Sequence, residues 1–152
     1  YLVVPPDLVD AFISARRVLD DHAAMLAQPV LASFIDDGHF AAHVRRMRRL
    51  YGARQDALLA GAKQHLDGLL DIQADEAGMH LIAWPGPALK QPMDDIRVSR
   101  AANGDGVMTM PLSTSFVGKP MRQGLMLGYA AHDEDAIMAG AKRLSETIAA
   151  AP

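Results

Sequence analysis

Apolar positions recur at helical steps through one long stretch of the chain, residues 38–66, and at strand-like steps in several shorter runs between residues 69 and 130. Within the long stretch, Phe40, Val44, Met47 and Tyr51 are spaced four, three and four apart, the spacing of one helix face. Leu58, Ala62 and Leu66 continue the stripe. Asp36, Asp37 and Gly38 stand where an N-cap and first turn belong. A helix over all of it would be roughly 40 Å long at about 1.5 Å per residue. That makes it either a spine with other elements packed along it or a projection toward a partner. The stripe predicts anchoring through Val44, Met47 and Tyr51. Gly52 weakens the middle by about 1 kcal/mol relative to alanine.

On either side of this helix the periods change. Residues 1–4 read as a short strand, stopped by Pro5 and Pro6. A helix starting at Pro6 or Asp7 has Leu8, Phe12, Ala15 and Leu19 on one face and runs to about Leu26. Gln28 and Pro29 break or kink the run, because the residue before a proline is pushed out of the helical region. The apolar segment 30–35 then leads into the long helix. After Gly68, residues 69–73 and 79–84 read as strands around an acidic turn. Residues 94–102 read as a helix capped by Asn103 and Gly104. Residues 107–112 and 124–130 are further strands, 113–120 is a loop, and 132–150 is a closing helix. The order αα(α)ββαββα, with strands gathered in the second half, predicts a two-layer α+β sandwich: a mainly antiparallel sheet of three or four strands covered by helices. The expected organisation is one domain over 1–152, with connecting helices in 1–37, the long helix in 38–66 and the sheet-and-helix part in 67–152.

Composition narrows the class. At 152 residues, half of them hydrophobic, the chain is long enough to bury a core. No apolar run reaches the roughly 18 residues of a membrane span. There is no cysteine, so there is neither a disulfide framework nor thiolate chemistry; a reducing cytoplasm fits. The chain opens on Tyr1, Leu2, Val3 and Val4 with no methionine, and it reads as a piece of a longer protein.

Charge then decides how the long helix is read. Arg45, Arg46, Arg48, Arg49 and Arg54 make up five of the fifteen Lys and Arg residues. A solvated face is favoured over a nucleic-acid surface, because the formal net charge is −3 and Tyr51 is the one aromatic residue among them. His39 and His43 have the spacing of a helical metal site, but Phe40 stands where that motif needs Glu, and no third ligand suggests itself. Asp20, Asp21 and His22 point in different directions from a helix and do not form a cluster. Residues 115–119 lack the first glycine of a phosphate loop. Ser113, Thr114 and Ser115 come with no base. None of Lys63, Lys90, Lys119 and Lys142 stands in a sequence context that would desolvate it for imine chemistry.

Three stretches together resemble a known family. The first is the run 1–5 followed by a helix. The second combines Phe34, Ile35, Gly38, His39, Phe40 and His43 with Arg45, Arg46, Met47, Arg48, Tyr51 and Arg54. The third is Ala77, Gly78, Met79, His80 and Leu81, then Pro111, Leu112 and Ser113, then Gly124, Leu125, Leu127, Gly128, Tyr129 and Ala130. Over essentially the whole chain this resembles the C-terminal, small-domain part of the aminotransferase-like half of MocR-type transcriptional regulators in the GntR superfamily, a fold-type I pyridoxal-phosphate family. The resemblance implies a homodimeric parent protein with an N-terminal winged helix-turn-helix for DNA, and a large domain holding pyridoxal phosphate on a lysine ahead of Tyr1. It implies that a small-molecule effector is sensed. By itself the chain would be neither catalytic nor DNA-binding, and would bind no cofactor. The alternative is the small domain of a genuine class I/II aminotransferase. A third reading is a stand-alone interaction module built on the long helix.

In such small domains an Arg in a strand of the form Arg-apolar-x-aromatic holds the substrate carboxylate. The match places Met126 at the Arg position, with Arg122 as the nearest substitute. Met126, Arg122 and Ser113 are the candidate effector-pocket residues. Gln28 is implied, by the same resemblance, to lie near the cofactor of the partner subunit.

Overall fold

In a computed structural model, residues 2–19 and 25–150 are described. The chain forms two compact units, 1–46 and 47–152.

The first unit contains a 3-10 turn, Pro6–Leu8, and the helices α1 (Val9–Leu19) and α2 (Ala27–Asp36). Residues 2–4 form no strand, since no described strand pairs with them and an unpaired strand leaves its backbone groups without partners. The helix expected to reach Leu26 is assigned only as far as Leu19, and residues 20–24, with the Asp20, Asp21 and His22 candidate, lie outside the described residues. Gln28 and Pro29 do not interrupt a helix but begin one. Pro29 stands in the first turn of α2, where its missing N–H would have had no intrahelical acceptor. Neither α1 nor α2 buries a single residue: Phe12 is 45% exposed and Leu31 55%.

Helix α3 (His39–His65) is the predicted long helix and passes Gly52 without a break. Gly38, at φ +78°, is where the chain turns from α2 into α3. Its N–H donates to Ile35 O, and its own carbonyl accepts from Ala42. It is thus the left-handed end of α2 as well as the entry to α3, which glycine alone adopts without strain. The anchoring differs from the sequence expectation. Leu58, Ala62 and Leu66 are buried, whereas Val44, Met47 and Tyr51 are half-buried. Met47→Ala is therefore expected to cost about 1–2 kcal/mol, less than a fully buried methionine, because part of the side chain stays in water; chemical denaturation measures this.

The second unit is the predicted two-layer sandwich. Strands β1 (Leu70–Ile72), β2 (His80–Pro85), β3 (Thr109–Pro111) and β4 (Leu125–Gly128) form an antiparallel sheet in the order β1-β2-β4-β3. Helices α4 (Asp95–Gly104) and α5 (Glu134–Ala150) complete it. The period of two along each strand sorts the side chains. Leu70, Leu81, Ala83, Thr109, Leu125 and Leu127 are buried, and the apolar ones join the core with Leu66, Val98, Ala102, Ile137, Leu144 and Ile148 from the helical side. On the other face Ile82 and Met126 are half-buried and Met110 is exposed.

Helix α4 takes in Asn103 and Gly104 as its last two residues, with Asp105 as the C-cap. The Asn103 side chain accepts from Thr109 N at 2.8 Å, and the left-handed residue is Gly106, at φ +79°. Asp94 caps the other end, accepting from Arg97 N at 3.0 Å.

Two backbones meet at Gly86, where a Cβ would come within 2.2 Å of Gly68 O and 2.8 Å of Leu69 C. A backbone obstacle cannot rotate aside as a side chain does. Gly86→Ala is expected to lower the unfolding free energy by about 1–3 kcal/mol. A loss within about 0.3 kcal/mol of zero would mean that this approach relaxes freely.

Candidate functional site

The sheet face opposite the helices brings two of the predicted residues together. Met126 sits in β4 between Ile82 of β2 and Met110 of β3. Two residues along from Ile82, on the same side, is Trp84. The Arg122 guanidinium carbon lies 3.7 Å from the centroid of the Trp84 ring, close enough for a cation–π contact. The chain between Arg122 and Met126 can pass Trp84 because position 124 is glycine: a Cβ there would be 3.0 Å from Ala83 O and 3.3 Å from Trp84 Cε3. Arg122 is exposed, and its guanidinium has no hydrogen-bond acceptor among the described residues. The arrangement offers a soft apolar wall of Ile82, Met126 and Met110, and a positioned cation at one end. His80, two residues before Ile82 in β2, and Asp71, paired with Trp84 across β1 and β2, are exposed on this same face.

Ser113 is placed differently. It is buried, and both of its polar groups go to Asp95: Oγ donates to Oδ1 at 2.6 Å and N donates to Oδ2 at 2.8 Å. Gly124 N donates to the same Oδ2 at 3.1 Å, and Asp95 N donates to Gln123 Oε1 at 3.3 Å. One carboxylate, only 1% exposed, thus fixes both ends of the loop that carries Arg122. Asp95 is in the first turn of α4, where the helix dipole also favours a negative charge. Gln28 is exposed in the first turn of α2, in the unit 1–46.

A second network has no motif in the sequence to announce it. Gln55 Nε2 donates to Tyr129 Oη at 3.1 Å and to Asp75 O at 2.8 Å, and Tyr129 Oη donates to Gly78 O at 3.0 Å. These bonds tie the middle of α3 to the β1–β2 turn and to the end of β4. Arg54 separates from the other arginines here. Arg45, Arg46, Arg48 and Arg49 are exposed, but Arg54 is half-buried, donates through Nη1 to Ala130 O, and has a buried Nε with no acceptor among the described residues. Its spacing from Tyr51 on the stripe is the one sequence signal of this difference.

Among the described residues no three His, Cys, Asp or Glu side chains come together as a metal site, and His39 instead lies against Phe34, with ring centroids 5.9 Å apart. No helix among them is long and apolar enough to cross a membrane. Lys63, Lys90, Lys119 and Lys142 are all exposed. A covalent pyridoxal-phosphate site needs a desolvated amine, so the lysines of this chain do not fit that cofactor.

No family model matches the chain. It is similar to the probable rhizopine catabolism regulatory protein MocR of Rhizobium meliloti, with 39% identity over 99% of this chain and 30% of the relative. It is also similar to the uncharacterized HTH-type transcriptional regulator YhdI of Bacillus subtilis, with 26% identity over 95% of this chain and 30% of that protein. Among solved structures it resembles Pyrococcus horikoshii kynurenine aminotransferase in complex with PMP, with a TM-score of 0.80 and 25% identity, over 95% of this chain and 35% of the enzyme. The chain spans about 30% of the length of these two regulators.

Proposed function

From the match of its whole length to the C-terminal aminotransferase-like part of MocR-type regulators, we propose that this chain is the effector-sensing small-domain portion of such a regulator, without catalytic or DNA-binding activity of its own. The observation that carries the reading is the 39% identity over 99% of the chain. The enzyme reading is weaker, since the likeness to the kynurenine aminotransferase is 25%. The rest of the parent supplies pyridoxal phosphate and its lysine, the winged helix-turn-helix and the contacts of a homodimer. The exposed apolar side chains of α1 and α2 are consistent with burial against that remainder.

Within the parent, the face of Met126 and Arg122 meets the effector. Ser113 acts through Asp95 by holding the Arg122 loop, and Gln28 lies near the cofactor of the partner subunit. A Met at the carboxylate position gives no charge-assisted pair, so the effector is an apolar or weakly acidic molecule, or the cofactor itself.

The parent's own sequence and a binding pair test this. A winged helix-turn-helix ahead of the large domain, with operator binding that changes on adding effector, is the expected result. A parent lacking that element and turning over amino acids at ordinary aminotransferase rates would establish the enzyme reading instead. The 152-residue chain mixed with pyridoxal phosphate is expected to give no stable visible band in the roughly 420 nm region. A stable band abolished by changing one lysine to alanine would overturn the assignment of the cofactor to the remainder of the parent.

A further inference from the structure

On the helical side of the sheet, away from the Met126 face, a cavity of about 500 Å³ lies between the loop 88–94, α4 and the end of α5. That volume is within the range of small-molecule sites. Its floor is apolar: Leu69, Met93, Val98 and Ile148 line it, and the last three are each at most 9% exposed. Its rim is cationic. Lys90 and Arg97 both line the opening, both are exposed, and neither side chain has a hydrogen-bond or ion-pair partner among the described residues. The backbone N–H groups of Lys90 and Gln91, in the loop that walls the cavity, likewise have no acceptor there. Among the described residues, Asp94 is the one acidic residue at the rim, and one of its oxygens is taken by Arg97 N as the cap of α4.

We propose that this cavity binds a small organic carboxylate with an apolar body. The body covers Met93, Val98 and Ile148, and the carboxylate meets Lys90 and Arg97. An apolar floor alone would take a neutral molecule as well, and two surface cations alone would take any anion; their combination selects the amphipathic acid. The site uses none of the residues of the Met126 face and stands or falls independently of the effector-sensing reading.

The test is an ¹H–¹⁵N NMR titration of the 152-residue chain with three probes: 4-phenylbutyrate, its neutral amide, and inorganic phosphate. The expected result is saturable shifts of amides in 88–98 and 147–149 with the acid, with Kd near or below about 1 mM. The amide and phosphate should each bind at least roughly threefold more weakly, the scale of solvent-exposed ion pairs. A Lys90→Gln, Arg97→Gln double variant changes two exposed side chains and leaves the floor intact. It should bind the acid roughly tenfold more weakly and the amide unchanged. Equal affinity for acid and amide would overturn the role of the cations, and equal affinity for phosphate would overturn the role of the floor. Shifts centred on Ile82 and Met126, or no saturable shift at all, would overturn the site.

Discussion

Asp95→Ala is expected to destabilise the unit 47–152 by about 3–5 kcal/mol, a large part of the roughly 5–15 kcal/mol that holds a typical domain together. The carboxylate is 1% exposed and accepts from Ser113 Oγ, Ser113 N and Gly124 N. Alanine removes the acceptor and leaves those donors buried, so their full desolvation cost appears. Ser113→Ala removes one hydroxyl donor and leaves the two backbone bonds in place, and about 1–3 kcal/mol is expected. The double variant should lose much less than the sum, because the two residues share one network. Urea denaturation of all three variants gives the numbers. A loss under about 1 kcal/mol for Asp95→Ala would show that the loop 112–124 is held by other contacts.

Met126→Arg in the parent protein is expected to strengthen the binding of simple amino acids by about one to two decades. A charge-assisted bond to a carboxylate contributes roughly 1.5–3 kcal/mol, and each 1.4 kcal/mol is about a factor of ten. The substitution is structurally permissive: Met126 is half-buried, on the face away from the core, between Ile82 and Met110. The guanidinium can reach water when no ligand is bound, so the fold should tolerate it. Calorimetric titration with glutamate and with an apolar amino acid, before and after the change, measures the gain. Tight amino-acid binding by the unmodified parent would mean that another group holds the carboxylate, and Arg122, on its Trp84 stack, is the first to change.

Helices and strands were legible wherever a period ran for several residues. The stripe through residues 40–66 marked α3, and the alternation in 79–84 and 124–130 marked β2 and β4 to within two residues at their starts. The resemblance of the motifs to MocR-type regulators was also carried by sequence alone. Boundaries failed where two rules competed. Pro29 reads equally as a stop or as a first-turn residue, and in the structure it is the latter.

Other features were invisible because they depend on which distant residues meet. Periodicity marks an apolar stripe but not which part of it a neighbouring element covers, so Leu58, Ala62 and Leu66 rather than Met47 anchor α3. The arginines of that helix look alike in sequence, yet among the five it is Arg54 that finds a carbonyl, 76 positions away at Ala130. Asp95 looks like any acidic residue opening a helix; its role comes from Ser113 and Gly124, 18 and 29 positions further on. The sequence by itself determined the long helix, the element types from residue 69 onward, the antiparallel two-layer class and the family likeness, because these follow from periods and motifs along the chain. The tertiary structure alone decided which carboxylate is buried, which arginine is held and which sheet face carries Met126, because burial and pairing are set by contacts between segments far apart in sequence.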